Sequence, residues 1–256
     1  MAPETPGKAV GGLLPATSRY RRGYPVALLI GLGSNQAAIW KVFSHVVKPE
    51  RTINFVGSRG DAKSAYNFYE SVVNAMRPTL REGTKSVVIA SPPRTNFTSK
   101  FLEHIQDHNA WLIQGAEKAS FAKIVGSAIT PHDVTTLTRT PEFKNIVSET
   151  TMEETENLLE LLEKNLNAPG SEPLVLYSLE GIEDKICGSW LPGKPKPYYL
   201  MLVNTYLAST SQKGRLHRLI QVAANRKVKS RIVKADSPTG KRLQQLGGIV
   251  CVLKQQ

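Results

Sequence analysis

The chain has 256 residues, of which 41% are hydrophobic, and it carries a formal net charge of +12. This length fits one large domain or two small ones, and the longest apolar run, residues 26–30, is far too short to span a bilayer. So large a positive charge favours a polyanionic partner, most often nucleic acid. The positive charge is unevenly distributed, because residues 213–256 hold 11 basic residues and one acidic residue.

The first 22 residues are rich in Pro, Gly, Ser and Thr and lack the basic-then-apolar order of a secretory signal. We expect a flexible arm there, whose Arg19, Arg21 and Arg22 would become ordered on an RNA surface. The two cysteines, Cys187 and Cys251, belong to no CxxC pair. We therefore expect buried, reduced thiols in a cytoplasmic protein, without a metal site or a cofactor.

The first half of the chain mixes strand-like and helix-like patterns. Buried apolar runs predict strands at residues 24–30, 51–57 and 85–93, and residues 110–117 and 121–129 fit another strand and a short element. Residues 37–47 fit either a helix or a strand. Residues 64–76 carry apolar side chains three and four positions apart, which predicts an amphipathic helix. A further helix is predicted over residues 95–108, with Thr95 or Asn96 as its cap.

In the second half, residues 152–167 predict a strongly periodic acidic helix, capped within residues 148–151. Residues 172–189 then predict a strand followed by a helix. Later strands are predicted at residues 198–208, 228–234 and 249–254, and later helices at 214–227 and 237–248. This alternation of strands and helices predicts an α/β layer fold, and the composition changes near residue 149.

Residues 28–36 invite comparison with a dinucleotide-binding turn, because Gly31 and Gly33 follow a strand. Gln36 stands where the third glycine would be, and no acidic residue ends a second strand about 20 residues further on. A turn between two strands is therefore the favoured interpretation.

His104 and His108 lie four residues apart on a predicted helix, with Asp107 beside them. Two ligands do not make a metal site, so solvated histidines are favoured. The basic helix at residues 214–227 leaves three interpretations open, since its cations could face solvent, RNA phosphates or an acidic groove of a partner protein. These cations are Arg215, Arg218, Arg226 and Lys227.

The last 40 residues resemble the end of the Pelota proteins and their relatives, the class-1 translation termination factors of archaea and eukaryotes. In that family a helix leads to a strand, a second helix, a glycine turn and a last strand. The matching positions here are Ser237, Gly240, Leu243, Leu246, Gly247, Gly248, Ile249 and Leu253. Weaker similarity, in the same order, extends over residues 23–256.

The resemblance implies two mixed α/β layer domains. Residues 23–149 would form a release-factor central-domain-like unit and residues 150–256 a C-terminal-domain-like unit, preceded by the arm of residues 1–22. Full-length family members carry an additional N-terminal domain that reads the decoding centre. Only an arm of about 22 residues precedes the central-domain-like unit here, so the resemblance does not extend to codon reading or empty-A-site sensing by that domain.

In the termination factors, the loop before the long helix of the central domain carries Gly-Gly-Gln, whose glutamine lies at the ester between nascent chain and tRNA. The corresponding loop here, residues 57–63, has glycines and cations but no glutamine. Peptide release needs a water positioned at that ester and polar groups around the oxyanion. An exposed Asp61 is a poor base at neutral pH, so we expect no enzymatic activity.

The resemblance thus implies a monomeric, ribosome-binding translation factor that occupies the A site without hydrolysing peptidyl-tRNA, in ribosome hibernation or in rescue of stalled ribosomes. The expected RNA contacts are Arg19, Arg21, Arg22, Lys48, Arg51, Gly57, Ser58, Arg59, Gly60 and Lys63. A translational GTPase and the recycling ABC-type ATPase are the implied protein partners, with Arg215, Arg218, Arg226 and Lys227 as candidate contacts. The alternatives are a peptidyl-tRNA hydrolase with a tip that lacks glutamine and an RNA-binding adaptor unrelated to the A site.

Overall fold

The computed structural model describes residues 23–57, 60–115, 118–169 and 173–255. The described residues contain two sheets, each with parallel and antiparallel strand pairs and each covered by helices, which confirms the α/β class. The first sheet contains β1 (Pro25–Leu32), β2 (Gln36–Phe43), β3 (Val47–Asn54), β4 (Ser86–Ser91) and β5 (Ser120–Val125). Their order is β3-β2-β1-β4-β5, in which the first three strands pair antiparallel and the last three pair parallel.

Helices cover both faces of the first sheet because its central strand is apolar on both sides. Successive side chains of a strand point to opposite faces, so Leu28 packs on one face of β1 and Leu29 on the other. The first face is covered by α1 (Ala62–Glu82) and α2 (Phe97–His108), and the second by α3 (Pro131–Arg139) and the start of α4 (Pro141–Leu166).

The second sheet contains β6 (Val175–Leu176), β7 (Lys196–Val203), β8 (Lys229–Val233) and β9 (Ile249–Lys254) in the order β6-β9-β7-β8. Helices α5 (Leu179–Cys187) and α7 (Lys213–Asn225) pack on one face, next to the short α6 (Asn204–Ser209). The second half of α4 and α8 (Pro238–Gln245) pack on the other face.

Helix α4 belongs to both cores. Phe143, in its first turn, is buried against the first sheet, whereas Leu158 and Leu162 are buried against the second. The domain boundary predicted between residues 149 and 150 falls inside this continuous helix, and the division of the chain into domains stays a prediction.

The two sheets also meet through polar contacts at one junction. Arg231 of β8 is 2% exposed and donates to the carbonyl oxygens of Pro25 (2.9 Å) and Val26 (2.8 Å) and to the carboxylate of Glu154 on α4. Tyr199 of β7 donates to the carbonyl oxygen of Gly83 at 2.7 Å. The second sheet is therefore bonded directly to β1 and to the end of α1.

Several sequence expectations are corrected by the structure. Of the two runs that fit a strand and a short element, the first begins with a 3-10 turn, Ala110–Leu112, and the second contains the strand, β5; residues 116 and 117 lie outside the described residues. The strand predicted over residues 198–208 ends at Val203, since the Asn204 carboxamide accepts the backbone N–H groups of Thr205 (3.0 Å) and Ala235 (2.9 Å) and α6 begins there.

Two further expectations differ from the structure. The acidic helix begins at Pro141, because Thr140 caps it by accepting the N–H of Phe143 at 3.2 Å, so the cap predicted within residues 148–151 is wrong. Cys187 is exposed rather than buried, whereas Cys251 is buried as expected.

Other expectations are confirmed. Of the two alternatives left open for residues 37–47, the structure shows strand, since residues 37–43 lie in β2 and residue 47 begins β3 after a short connection over 44–46. The Gly33 N–H donates to the Gln36 carbonyl oxygen at 2.8 Å in the predicted turn between β1 and β2. A strand therefore follows Gly33, where the dinucleotide-binding interpretation would require a helix. Within the described residues, none of the helices has the length and apolar character needed to cross a membrane.

Candidate nucleic-acid interface

The predicted tip is the loop that joins edge strand β3 to helix α1. Gly57 has a φ of +115°, and a Cβ atom there would lie 2.2 Å from the Ser64 hydroxyl oxygen, so this position requires glycine. Gly60 is exposed, and a Cβ atom there would meet nothing within 4 Å. Ser58 and Arg59 lie outside the described residues.

Asp61 closes the loop by capping α1. Its carboxylate accepts the N–H groups of Lys63 (3.2 Å) and Ser64 (3.0 Å) and the Ser64 hydroxyl (2.5 Å). The bonds from Ser64, above all the hydroxyl, and then the one from Lys63 lower the pKa of Asp61 below its ordinary value. A carboxylate that is more acidic than usual is an even weaker general base than the sequence suggested.

Three predicted cations lie on the elements that flank this loop. Lys48 and Arg51 are exposed on β3, and Lys63 is exposed in the first turn of α1. In the described part of the chain, no ion pair engages these three side chains. Lys41 on neighbouring β2, by contrast, lies 3.2 Å from a Glu82 carboxylate oxygen and 3.6 Å from one of Glu50. The sequence thus brings Lys48, Arg51 and Lys63 to one edge of the first sheet.

The other predicted RNA contacts, Arg19, Arg21 and Arg22, lie outside the described residues. Their contribution to an RNA surface stays a prediction.

Two of the predicted partner contacts on α7 have intramolecular partners. Arg215 donates to Glu183 on α5 at 2.6 Å, and Arg226 donates to the carbonyl oxygens of Gly188 (2.5 Å) and Cys187 (3.1 Å). These bonds hold α7 against the end of α5.

The guanidinium of Arg226 also lies over the ring of Trp190, 5.2 Å from its centroid. Arg218 is exposed on α7, and Lys227 is exposed just after it with a φ of +62°. Within the described ranges, Arg218 and Lys227 are thus the two predicted partner contacts on this helix that bind no other element. The docking role of all four cations stays a prediction.

His104 is buried against a structural partner rather than solvated as expected. The Nε2 atom of His104 lies 3.0 Å from the Glu70 carboxylate, and the rings of His104 and His108 lie 4.9 Å apart with Tyr66 against both. The described residues contain no group of three or more His, Cys, Asp or Glu side chains placed to hold a metal ion.

Sequence reasoning missed a second basic and aromatic surface, where the two sheets meet. Its members are Arg77, Arg81, Trp111, Lys118, Tyr198 and Lys229, and we name this set the junction strip. The signal for it, cations interleaved with aromatic residues, is spread over 153 positions from Arg77 to Lys229, so only the fold brings it together.

No family model matches the chain, and no curated protein matches it significantly. Solved structures do match. One match is Dom34 of S. cerevisiae, a translation termination-like factor involved in RNA quality control pathways and interacting with Hbs1. It is 18% identical with a TM-score of 0.48, and the match covers 90% of this chain and 63% of Dom34. The Archaeoglobus fulgidus Pelota is 17% identical with a TM-score of 0.38, over 93% of this chain and 67% of its own.

An archaeal Pelota bound to the ribosome together with ABCE1 is 15% identical, with a TM-score of 0.50. The match covers 94% of this chain but 63% of that Pelota, so the chain spans less than two thirds of the relative's length. Because more than nine tenths of the chain superposes on this Pelota, the resemblance to the Pelota and release-factor proteins is confirmed at the level of the fold.

Proposed function

We propose that the chain is a ribosome-binding translation factor that occupies the A site without hydrolysing peptidyl-tRNA. It would act in the cytoplasm, in ribosome hibernation or in the rescue of stalled ribosomes. The observation that carries this proposal is the loop between β3 and α1, which has no glutamine and whose one carboxylate, that of Asp61, caps α1.

The fold supports ribosome binding by analogy. An archaeal protein of the same fold is bound to the ribosome with ABCE1, and Dom34 interacts with Hbs1. We therefore propose the ribosome as the main partner, with a translational GTPase and an ABC-type ATPase as further partners. Lys48, Arg51 and Lys63 would contact rRNA or tRNA phosphates, because cations at one exposed edge attract the nucleic-acid backbone without reading its sequence.

The state of Asp61 argues against peptide release. Hydrolysis of the ester would need a base or an amide that positions water at the reacting carbonyl. Asp61 bonds three donors of its own helix and has a lowered pKa, so it binds protons weakly and is already engaged. We propose that the loop reaches into the ribosome to fill space and bind phosphate rather than to cleave an ester.

Co-sedimentation with purified ribosomes at low salt tests ribosome binding. Replacing Lys48, Arg51 and Lys63 together by glutamine should weaken binding at least tenfold and reduce its salt dependence, since each lost phosphate contact lowers the salt slope by about one. The matched control replaces Lys123, Arg139 and Lys144, which are exposed around β5 at the opposite edge of the sheet. Absence of the protein from ribosomal fractions at low salt would refute the proposal.

A release assay on ribosomes that carry peptidyl-tRNA in the P site tests the second half of the proposal. We expect the rate of chain release to equal the background rate. Release above background that Asp61→Ala or Arg59→Ala abolishes would establish the hydrolase alternative instead.

A further inference from the structure

The junction strip contains two aromatic rings, each held by a cation. The guanidinium of Arg77 lies over the indole of Trp111, 5.1 Å from its centroid. On the second sheet, the ammonium groups of Lys229 and Lys254 lie 4.5 Å and 5.3 Å from the centroid of the Tyr198 ring. Such interleaving of rings and cations is the usual make-up of surfaces that bind single-stranded nucleic acid.

The Trp111 ring is both exposed and fixed in place. It is 48% exposed, and its Nε1–H donates to the Asn109 carboxamide oxygen at 3.2 Å. Asn109 is 3% exposed and donates in turn to the Glu70 carboxylate at 2.5 Å. A large apolar side chain that the protein holds rigidly but leaves open to solvent suits a stacking partner, because little conformational entropy is lost when a ring docks on it.

The two arginines beside Trp111 retain capacity for an anion. Arg77, Arg81 and Lys85 line, together with Trp111, a surface hollow of about 320 Å³. The Arg77 Nε–H is buried and has no hydrogen-bond partner among the described residues, which is costly for a guanidinium donor unless a ligand or water supplies the acceptor. Arg81 is exposed in the last turn of α1.

A second depression lies against the same lysine, Lys85, where the two sheets meet. It contains Lys118 from the first domain-like half and Tyr198 from the second. The carboxylate in that depression, Glu154, pairs with Arg231, accepts the Lys85 backbone N–H at 2.9 Å and also attracts the Lys85 side-chain charge, so Lys85 is not part of the proposed anion site. The strip thus carries basic and aromatic side chains on both sides of the junction, from Trp111 to Tyr198.

We propose that the junction strip binds an unpaired stretch of RNA, with one nucleobase stacked on Trp111 and its phosphate on Arg77 and Arg81. The following phosphates run past Lys118 to Lys229. The strip discriminates against duplex RNA, whose bases are already stacked and paired and cannot reach the indole. This site is separate from the loop before α1, and the inference does not rest on A-site binding.

Fluorescence anisotropy with a labelled single-stranded oligoadenylate of about ten nucleotides tests the proposal without ribosomes. Trp111→Leu should weaken binding about tenfold, whereas Trp111→Phe should stay within about twofold, because it keeps a ring for stacking. The pair Arg77→Gln and Arg81→Gln should weaken binding about tenfold and lower the salt slope by about two. Arg139→Gln, an exposed arginine at the end of α3, should bind like the parent chain.

Tryptophan fluorescence locates the contact independently. The oligonucleotide should quench the emission of the parent chain, and in Trp111→Phe this quenching should disappear although affinity is retained. Equal binding by the parent and the Trp111→Leu and Arg77/Arg81 variants would overturn the proposal. So would equal affinity for a duplex of the same length, or displacement of the oligonucleotide by micromolar AMP, which would assign the hollow to a free nucleotide.

Discussion

Arg231 and Glu154 form a buried ion pair between the two sheets, with side chains 1% and 2% exposed. Arg231 lies on β8, Glu154 lies in the middle of α4, and the guanidinium also donates to the first residues of β1. Burial raises the pKa of Glu154, while Arg231 and the Lys85 N–H act in the opposite direction. Each buried charge is therefore compensated by the other.

Removal of one partner should destabilise the chain strongly. Glu154→Ala leaves the Arg231 guanidinium buried without a counter-charge, and we expect a loss of about 3–5 kcal/mol in the free energy of unfolding, measured by urea denaturation. The matched control is the ion pair between Arg242 and Glu163, whose side chains are 37% and 38% exposed. Glu163→Ala should cost less than about 1 kcal/mol.

The double variant Glu154→Leu with Arg231→Met isolates the charge contribution. It removes both buried charges and should recover a large part of the loss, because an apolar pair of similar size needs no compensation. A loss for Glu154→Ala no larger than that for Glu163→Ala would show that the junction does not depend on this pair.

Gly83 should be irreplaceable where the end of α1 meets the second sheet. Its φ is +111°, and a Cβ atom there would lie 2.8 Å from the Ser230 carbonyl oxygen and 3.0 Å from the Ser230 nitrogen. Gly83→Ala therefore adds a backbone clash to the strain of positive φ, which alone costs about 1–2 kcal/mol.

Gly193→Ala is the matched control for this substitution, since Gly193 has a φ of +74° and a Cβ atom there would meet nothing within 4 Å. The melting temperature of Gly83→Ala should fall well below that of Gly193→Ala. Equal melting temperatures would contradict the close approach of Gly83 to Ser230.

The cap of α1 should make stability depend on pH at the acidic end. The folded-state pKa of Asp61 is lowered by the Ser64 and Lys63 bonds, so its stabilising effect is fully present above the ordinary value of 3.8. It is lost as the pH falls through the lowered pKa, because the protonated carboxyl accepts these bonds poorly.

Asp61→Ala tests this expectation by thermal unfolding. The difference in melting temperature between the parent and Asp61→Ala should be largest near pH 7 and shrink below about pH 4. Asp61→Asn keeps a capping oxygen, so its melting temperature should stay close to that of the parent both near pH 7 and below about pH 4. A difference that stays constant from pH 7 to about pH 3 would contradict the role of the ionised cap.

The two cysteines should react at very different rates. Cys187 is exposed, whereas burial raises the pKa of the Cys251 thiol to about 12, so its thiolate is scarce at neutral pH. An aromatic disulfide reagent at about pH 8 should modify one thiol per chain rapidly and the second only on unfolding. Cys187→Ser, the control, should abolish the rapid phase; two rapid equivalents would contradict the burial of Cys251.

Much of the fold could be predicted because local patterns and tertiary structure agree. The apolar spacing of residues 64–76 and the apolar runs of β1 and β9 reflect the burial of these elements. The turn at Gly33 likewise follows from its local sequence. The prediction failed where a single polar side chain decides the structure. Asn204 ends β7 and Thr140 starts α4, and neither effect is visible in hydrophobic periodicity.

The candidate interface was only partly predictable for a similar reason. Lys48, Arg51 and Lys63 are close in sequence, so the loop between β3 and α1 could be identified from its composition. Arg215 and Arg226 gave the same signal of exposed positive charge, yet they bond α5 and the residue that follows it, because nothing in the sequence specifies how α7 docks. Trp111 and Tyr198 meet the cations of the junction strip only through long-range packing.

A cryo-electron microscopy map of the protein on a ribosome with peptidyl-tRNA in the P site tests the central claim most directly. The proposed function predicts the first sheet in the A site, with the loop of residues 57–63 directed toward the peptidyl-transferase centre and the ester of the peptidyl-tRNA intact. Density elsewhere on the ribosome, or a deacylated P-site tRNA that appears only when the protein is present, would contradict it.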